Sequence, residues 1–231
     1  MTGTGSAQPT LVNSRVRKGR ALVIRLIITG AALTVWFWTQ SLIGKHSLPA
    51  SGVGDELLVW TTPINNYLYE HPSAANALLI VSSGIIDMLG VFLLAKWIFG
   101  PSVRPFLGLV FLLGLRQLMQ ALVALPAPEN TIWHDPGFPS LLVTYGVAND
   151  YFFSGHTAIA VLGAIELART GRRWVTGVAI LIIIFEVATV LVLRAHYTMD
   201  VFTGAVTALY VASLVGSISP SIDQLVGKVN T

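Results

Sequence analysis

The sequence predicts an all-α integral membrane protein with six transmembrane helices, on three observations. Of its 231 residues, 54% are hydrophobic and only 11% are charged, whereas a soluble domain carries about 25% charged residues. The mean hydropathy is +0.71. The basic residues flank long apolar runs, so the net charge of +3 indicates membrane orientation rather than nucleic-acid binding. The chain has no cysteine, which excludes disulfides, thiol chemistry and cysteine-ligated metals.

Six apolar runs are long enough to be candidate spans, since a spanning helix needs roughly 20 residues. A polar stretch over residues 1–20 precedes them and is predicted to be a disordered cytoplasmic tail. Residues 21–218 are predicted to form one transmembrane domain, and 219–231 are predicted to form a cytoplasmic C-terminal tail. The segment 53–70 is amphipathic and is expected to be an interfacial or re-entrant helix. The predicted spans are 21–43, 74–99, 104–125, 152–169, 174–193 and 198–218.

The basic residues set the predicted orientation. With the N-terminus in the cytoplasm, cytoplasmic segments hold ten of the 14 lysines and arginines, as the positive-inside rule requires. Both termini are then cytoplasmic, and all five histidines lie on or near the outer side. Any chemistry therefore belongs to the extracytoplasmic face. A compact chain without cysteine fits a bacterial inner membrane protein.

The stretch RAHYTMDVFTG, residues 194–204, gathers three ionisable groups between two apolar runs. His196 and Asp200 are four residues apart, so at a helix start they share one face and Asp200 can bond a ring nitrogen. That bond would leave the other nitrogen free to attack or to accept a proton. The guanidinium of Arg194 suits a phosphate, because it offers several donors in a fixed fork.

A second polar stretch, NDYFFSGHTA, lies at the start of the fourth predicted span. A helix start presents free N–H groups and the positive end of the helix dipole, which favour a bound phosphate. Ser154 is interpreted as a helix cap or a phosphate donor, and Gly155 allows a ligand to approach the backbone closely. His156 can donate a proton to a leaving oxygen.

Two histidines, one of them with a neighbouring carboxylate, predict phosphoryl transfer at the membrane surface. One histidine attacks phosphorus to form a phosphohistidine, and the other protonates the leaving group. This route needs neither a metal nor another cofactor. Water as the second acceptor gives a phosphatase, whereas a lipid hydroxyl gives a transferase.

These motifs resemble those of the phosphatidic acid phosphatase type 2 superfamily, and within it the sphingomyelin synthase branch. The segment 150–157, DYFFSGHT, is similar to the first histidine motif of that branch, and 196–200, HYTMD, is similar to the second. The segment 116–128, RQLMQALVALPAP, is similar to a third, although it lacks a threonine. Plant phosphatidylcholine:diacylglycerol cholinephosphotransferase has the same general layout. Lipid phosphatases of the superfamily carry an arginine six residues before the second histidine, where this chain has Val190.

The resemblance implies a six-helix bundle with an outward-facing site. By it, His196 is the nucleophile, Asp200 its orienting partner and His156 the general acid and base. The substrate is a membrane phospholipid or lipid phosphate in the bilayer, and diacylglycerol or ceramide is the acceptor. The residues expected to bind the substrate phosphate are Arg194, Ser154, Gly155, Arg116 and Asp150.

Several alternatives stay open at this point. One alternative within the same class is a phosphatase of lipid phosphates or isoprenoid pyrophosphates. The alternatives from another class are a transporter and a non-catalytic lipid-binding protein. A rhomboid-like serine protease would need a glycine where Phe152 stands, and His156, His196 and Asp200 offer possible zinc ligands. Arg116 and Glu186 lie at similar predicted depth, as a buried ion pair or as the polar floor of a head-group pocket. The sequence does not determine the head group, the acceptor or the oligomeric state.

Overall fold

The computed structural model describes residues 52–143, 145 and 151–229, with side chains up to 225, and isolated residues between 23 and 38. The chain divides into two units, Met1–Ala50 and Ser51–Thr231. In the first unit the described residues are helical. The predicted tail 1–20, most of the first predicted span and Asp150 lie outside the described residues.

The second unit is all-helical, and its described residues include no strand. Four of its helices, α3, α4, α6 and α7, are long and apolar enough to cross a membrane. A fifth, α5, has only 14 residues, so the predicted count of six spans is not confirmed. The helices are α1 (Glu56–Trp60), α2 (Thr62–Glu70), α3 (Pro72–Phe99), α4 (Arg104–Leu122), α5 (Gly155–Ala168), α6 (Arg173–Val192) and α7 (Thr198–Val229).

Helix α5 lies at the centre of this unit and packs against α3, α4, α6 and α7. Its sequence, GHTAIAVLGAIELA, is apolar almost all round, which is typical of a helix buried on every side. Fourteen residues rise only about 21 Å, less than the roughly 30 Å of a bilayer core. The predicted span 152–169 was the shortest of the six. Helix α5 alone does not cross the hydrocarbon core, so other chain segments must fill the remaining thickness.

The loop before α5 fills part of this remaining thickness. Asp87, in the middle of α3, accepts hydrogen bonds from the backbone N–H groups of Leu141 and Leu142, at 2.8 and 2.9 Å. Leu142 also packs on Gly90, where a Cβ would lie 2.2 Å from its Cδ1. The loop therefore descends along α3, and Asp87 anchors it there.

The segment predicted as interfacial forms two short helices, α1 and α2. Asp55 caps α1 by accepting from the N–H groups of Leu57 and Leu58, and a proline stands in the first turn of α2. Asn65 is fully buried and donates to the carbonyl oxygens of Asn130 and Val192, at 3.3 and 2.9 Å. The segment is thus packed on the end of α6 and on the loop 123–154, which joins α4 to α5, is predicted to be extracytoplasmic and is called the outer loop below.

The opposite end of the bundle holds Lys96, Arg104 and Arg169, three of the basic residues predicted to be cytoplasmic. Glu166, near the end of α5, is buried among Arg104, Lys96 and Arg169. Helix α7 continues to Val229 rather than ending at the predicted 218. Asp223, in this extension, accepts from the Val103 N–H at 2.7 Å and from Ser102 at 2.8 Å, so the extension is held against the start of α4.

Candidate active site

The two histidine motifs meet in one small cavity. His156 and His196 are 40 residues apart in the sequence, and both are 6% exposed. They line a cavity of about 50 Å³ that lies between the starts of α5 and α7. The structure therefore brings together the residues expected to carry the chemistry. Other lining residues are Arg116, Trp133, Leu142, Val143, Tyr151 and Gly155.

His196 stands on the histidine loop, residues 193–197, which joins α6 to α7. Its Nδ1 lies 3.3 Å from the carbonyl oxygen of Tyr151 and 3.7 Å from Asp200 Oδ2. The second distance is too long for a hydrogen bond, so the bond predicted for Asp200 is made by the Tyr151 carbonyl instead. Because a carbonyl can only accept, Nδ1 carries the proton and Nε2 of the neutral ring holds the lone pair.

Asp200 is fully buried and lies in the first turn of α7. Its Oδ2 accepts from the Tyr197 N–H at 2.9 Å, which satisfies a free donor at the helix start. Its Oδ1 has no hydrogen-bond partner within the described part of the chain. Asp200 therefore fixes the first turn of the helix and places its negative charge beside the imidazole.

His156 is the second residue of α5, and its ring packs against Trp133. The two rings meet edge-on, with centroids 5.2 Å apart and planes at 85°. Among the described residues, none makes a hydrogen bond with His156 Nε2, which is buried. Since a buried polar atom is normally paired, this nitrogen is a candidate contact for a ligand. Trp133 lies 23 residues before His156 in the sequence, and no local signal pairs the two.

Ser154 is used as a helix cap. Its side chain is fully buried, accepts from the Thr157 N–H at 3.3 Å and donates to Thr157 Oγ1 at 3.0 Å. Of the two interpretations of this serine, the geometry shows the cap. Ser154 is not among the residues that line the cavity.

Arg116 reaches the start of α5 from the neighbouring helix α4. A Cβ on Gly155 would lie 3.0 Å from Arg116 Nε, so glycine at this position lets the guanidinium pass close to the backbone. Both residues line the cavity. Arg116 thus places a fixed positive charge beside the free N–H groups of a helix start, an arrangement suited to an anion.

Arg194, expected to bind phosphate, points elsewhere. Its backbone is left-handed, with φ of 52°, and its guanidinium donates to the Glu129 carbonyl and the Thr62 hydroxyl, both at 2.8 Å. A third contact reaches the Leu58 carbonyl at 3.3 Å. The structure therefore does not bring Arg194 to the cavity with the histidines, because its fork is occupied by the outer loop and the α1–α2 segment.

Tyr197 closes the histidine loop against the outer loop. Its phenol donates to the Pro126 carbonyl at 3.0 Å. Burial and then the neighbouring Asp200 carboxylate raise the pKa of this phenol, so it stays a protonated donor. This hydrogen bond connects the histidine loop, directly after His196, to Pro126 in the stretch that follows α4.

The starts of α5 and α7 touch through their backbones. The Ser154 N–H donates to the Asp200 carbonyl at 3.1 Å. A Cβ on Gly204 would lie 2.5 Å from the Ser154 carbonyl oxygen. This atom belongs to the backbone, so it cannot move aside as a flexible side chain could. Glycine at 204 is therefore what allows the two helix starts, and with them the two histidines, to lie side by side.

Glu186 does not form the ion pair considered for it. It is fully buried in α6 and accepts a hydrogen bond from Ser82 Oγ of α3 at 2.6 Å. Arg116 lies instead at the cavity. Glu186 therefore joins α3 to α6. Over residues 52–143 and 151–225, no three His, Asp or Glu side chains are grouped closely enough to hold a metal ion.

Comparison with known proteins shows which family this sequence belongs to. The chain is 23% identical over 179 residues to phosphatidylcholine:diacylglycerol cholinephosphotransferase 1 of Arabidopsis thaliana, covering 78% of this chain and 57% of the relative. It is 22% identical over 186 residues to cholinephosphotransferase 2 of the same plant, covering 80% and 62%. The chain thus spans about three-fifths of the length of these curated relatives. No solved structure matches it.

The family model described as AtPDCT1/2 matches residues 55–217. That range holds both histidine motifs, Arg116 and the whole cavity lining. It also begins at Asp55, so it includes the α1–α2 segment. Because the match extends over more than half of the chain, this protein belongs to the AtPDCT1/2 family.

Proposed function

We propose that this chain is a membrane phosphotransferase that moves a phospho-head group from one lipid to the hydroxyl of another through a phosphohistidine. The observation that carries the proposal is the meeting of two buried imidazoles and Arg116 in one cavity at two helix starts. The names of the relatives point to phosphatidylcholine as the donor and diacylglycerol as the acceptor. The chemistry is that of the sphingomyelin synthase-like branch of the superfamily whose motifs the sequence resembles.

In the first step His196 attacks the donor phosphorus. The lone pair on Nε2 forms the N–P bond, because Nδ1 is engaged with the Tyr151 carbonyl. The P–O bond to the diacylglycerol of the donor lipid breaks, and His156, which takes up a proton when the anionic phosphate enters the cavity, gives that proton to the leaving oxygen. Asp200, 3.7 Å from Nδ1, stabilises the positive charge that the ring acquires.

In the second step the roles of the two groups reverse. His156, now neutral, takes the proton from the hydroxyl of the incoming diacylglycerol. The oxygen of that hydroxyl attacks phosphorus and the N–P bond breaks, which restores the lone pair on His196 Nε2. The products are a new phospholipid and the original protonation states of both rings, so no water is consumed.

The rest of the site suits the charge on phosphorus. Arg116 and the N–H groups at the start of α5 surround the position where the phosphate oxygens would lie. Gly155 keeps that backbone accessible. A small cavity among apolar side chains also limits water, which favours a lipid hydroxyl over hydrolysis.

We place the reaction at the extracytoplasmic face. The histidines lie at one end of the bundle, and Lys96, Arg104 and Arg169 lie at the other, which the positive-inside rule assigns to the cytoplasm. Ala127 and Trp174 are exposed at opposite ends of the bundle. Cysteine substitution of each, followed by an impermeant thiol reagent on intact cells, tests the orientation. Labelling of residue 127 alone supports it, and labelling of residue 174 alone reverses it.

The test of function uses purified protein in phosphatidylcholine vesicles that contain isotopically labelled diacylglycerol. Mass spectrometry of the lipids should find the label in phosphatidylcholine, and His196→Asn should abolish that product. Replacement of diacylglycerol by ceramide identifies the preferred acceptor. Free phosphocholine with no labelled phospholipid would mean that water is the acceptor, and unchanged lipids would leave the chain without the proposed activity.

A further inference from the structure

The histidine loop is held on both sides by one short segment, residues 55–62, which we call the clamp. The clamp lies before the first spanning helix of the described unit and supplies no residue to the cavity. It nevertheless makes hydrogen bonds to Arg194, two residues before His196, and to Thr198, two residues after it. These contacts link positions more than 130 residues apart in the chain.

Asp55 joins the starts of two helices. Its Oδ2 accepts from the Thr198 N–H at 2.6 Å, and its Oδ1 accepts from the Thr198 hydroxyl at 2.7 Å. The same Oδ1 accepts from the N–H groups of Leu57 and Leu58, at 3.1 and 3.3 Å. One carboxylate therefore caps α1 and also fixes the first residue of α7, where a negative charge is favoured by the helix dipole.

The other side of the loop is fixed through Arg194. Its guanidinium donates to the Leu58 carbonyl and the Thr62 hydroxyl of the clamp. The backbone carbonyl of Arg194 accepts from the Thr131 hydroxyl at 3.0 Å. Arg194 is 8% exposed and stands in the left-handed region, a conformation that costs a non-glycine residue about 1 kcal/mol or more. These bonds keep the loop in a conformation that it would not otherwise prefer.

We infer that the clamp, through Asp55 and Thr62, positions the histidine loop so that His196 keeps its alignment with Tyr151 and Asp200. This inference rests on the proposed function, because it gives the clamp a role in the same reaction. Asp55 and Thr62 are positioning residues that act through Thr198 and Arg194. Their loss should lower the rate of the chemical step more than it lowers lipid binding, since a displacement of about 1 Å at a reacting group costs up to about a hundredfold in rate.

The test compares two isosteric pairs. Thr198→Val removes only the hydroxyl that donates to Asp55, and Thr198→Ser keeps it; Thr62→Val and Thr62→Ser do the same for the contact with Arg194. Asp55→Asn removes the charge of the clamp. Glu70→Gln, which alters an exposed carboxylate on α2, is the matched control.

Two measurements are made on each variant of the full chain in lipid vesicles. Hydrogen exchange of a peptide covering 193–201 reports how well the loop is held, without any need for activity. Turnover with labelled diacylglycerol gives kcat and KM. We expect the valine variants and Asp55→Asn to exchange faster over this peptide and to lose about 10- to 100-fold in kcat, with KM changed by less than about threefold. The serine variants and Glu70→Gln should stay close to the native chain.

Other outcomes separate the two proposals. Equal losses in the serine and valine variants, or unchanged exchange over 193–201, would overturn the clamp. A loss confined to KM would also overturn it, because it would show a role in lipid binding. A native chain that transfers no head group, but whose loop exchanges faster in the valine variants, would remove the proposed function and leave the clamp as a device that holds this loop.

Discussion

Helix α5 carries one polar cluster at each end, and the two clusters are built on opposite principles. At the end near Ala168, the carboxylate of Glu166 is surrounded by three cations. At the end that begins with Gly155, His156 lies beside His196 with polar atoms left unpaired in the described chain. The two clusters are ten residues apart on one helix, or about 15 Å.

The Glu166 cluster is fully engaged. Arg104 binds the carboxylate through Nε at 2.8 Å and Nη2 at 3.0 Å, and Arg169 and Lys96 approach to 3.4 and 3.5 Å. Its cations keep part of their hydration, since their side chains are 21–43% exposed while Glu166 is 3% exposed. Such a cluster joins α3, α4 and α5 and leaves both oxygens of the Glu166 carboxylate paired.

The histidine cluster is held from outside and left open inside. The Tyr151 carbonyl lies against His196 Nδ1, Trp133 packs against the ring of His156, and the clamp holds the histidine loop. In contrast, His156 Nε2 and Asp200 Oδ1 have no hydrogen-bond partner in the described chain. Leaving buried polar atoms unpaired costs about 1–3 kcal/mol each. In the proposed mechanism, the end that bears this cost is the one that binds the ligand.

The largest effect is expected at the nucleophile. His196→Asn should lower head-group transfer by about ten-thousandfold or more, because it removes the Nε2 that forms the N–P bond in the proposed mechanism. Transfer is measured with labelled diacylglycerol, and folding by thermal unfolding in detergent. His71→Gln, at an exposed histidine between α2 and α3, is the control. A folded His196→Asn variant with substantial transfer would exclude the phosphohistidine.

The next effect tests the proton transfer by His156. His156→Gln should lower transfer from phosphatidylcholine by about 10²- to 10⁴-fold. p-Nitrophenyl phosphocholine has a leaving group that needs no proton, so release of nitrophenol in the first turnover should be largely retained. Equal losses on both donors would show that His156 does not act as the acid.

At the opposite end the expected effect is on stability. Glu166→Gln removes the carboxylate that binds Arg104, Lys96 and Arg169 and should destabilise the fold by about 2–3 kcal/mol. This is less than the roughly 3–5 kcal/mol lost when a fully buried pair is broken, because the cations can hydrate. Thermal unfolding measures the change, and kcat of the folded fraction should stay within about twofold. A large fall in kcat without loss of stability would contradict the division between the two ends.

The smallest effect compares two glycines of α5. In Gly155→Ala the new methyl group meets Arg116 Nε at 3.0 Å, and the flexible side chain can yield by a few tenths of an ångström. We expect a loss of about three- to tenfold in kcat/KM with little change in stability. In Gly163→Ala the methyl group meets Leu89 Cδ2 at 2.9 Å, so stability should fall and kcat/KM should not. A loss of kcat/KM in Gly163→Ala but not in Gly155→Ala would contradict the proposed contact between Arg116 and the substrate phosphate.

Much of the fold was predictable because membrane helices are local features. The predicted spans 74–99, 104–125 and 174–193 agree with α3, α4 and α6 to within a few residues. Hydropathy measures the cost of placing each residue in hydrocarbon, and that cost depends little on distant parts of the chain. The end of α7 was missed, because Asp223 there binds Ser102 and Val103 across the bundle.

The sequence by itself determined the helices and the two histidine motifs at two helix starts. It could do so because short spacings fix which residues share a helix end. Only the tertiary structure decided the partner of each atom: the Tyr151 carbonyl for His196, and the clamp for Arg194. It also joined Asp55 to Thr198, 143 residues away. No local pattern encodes such pairs, because they depend on how the loops fold back over the bundle and which donors remain to be satisfied there.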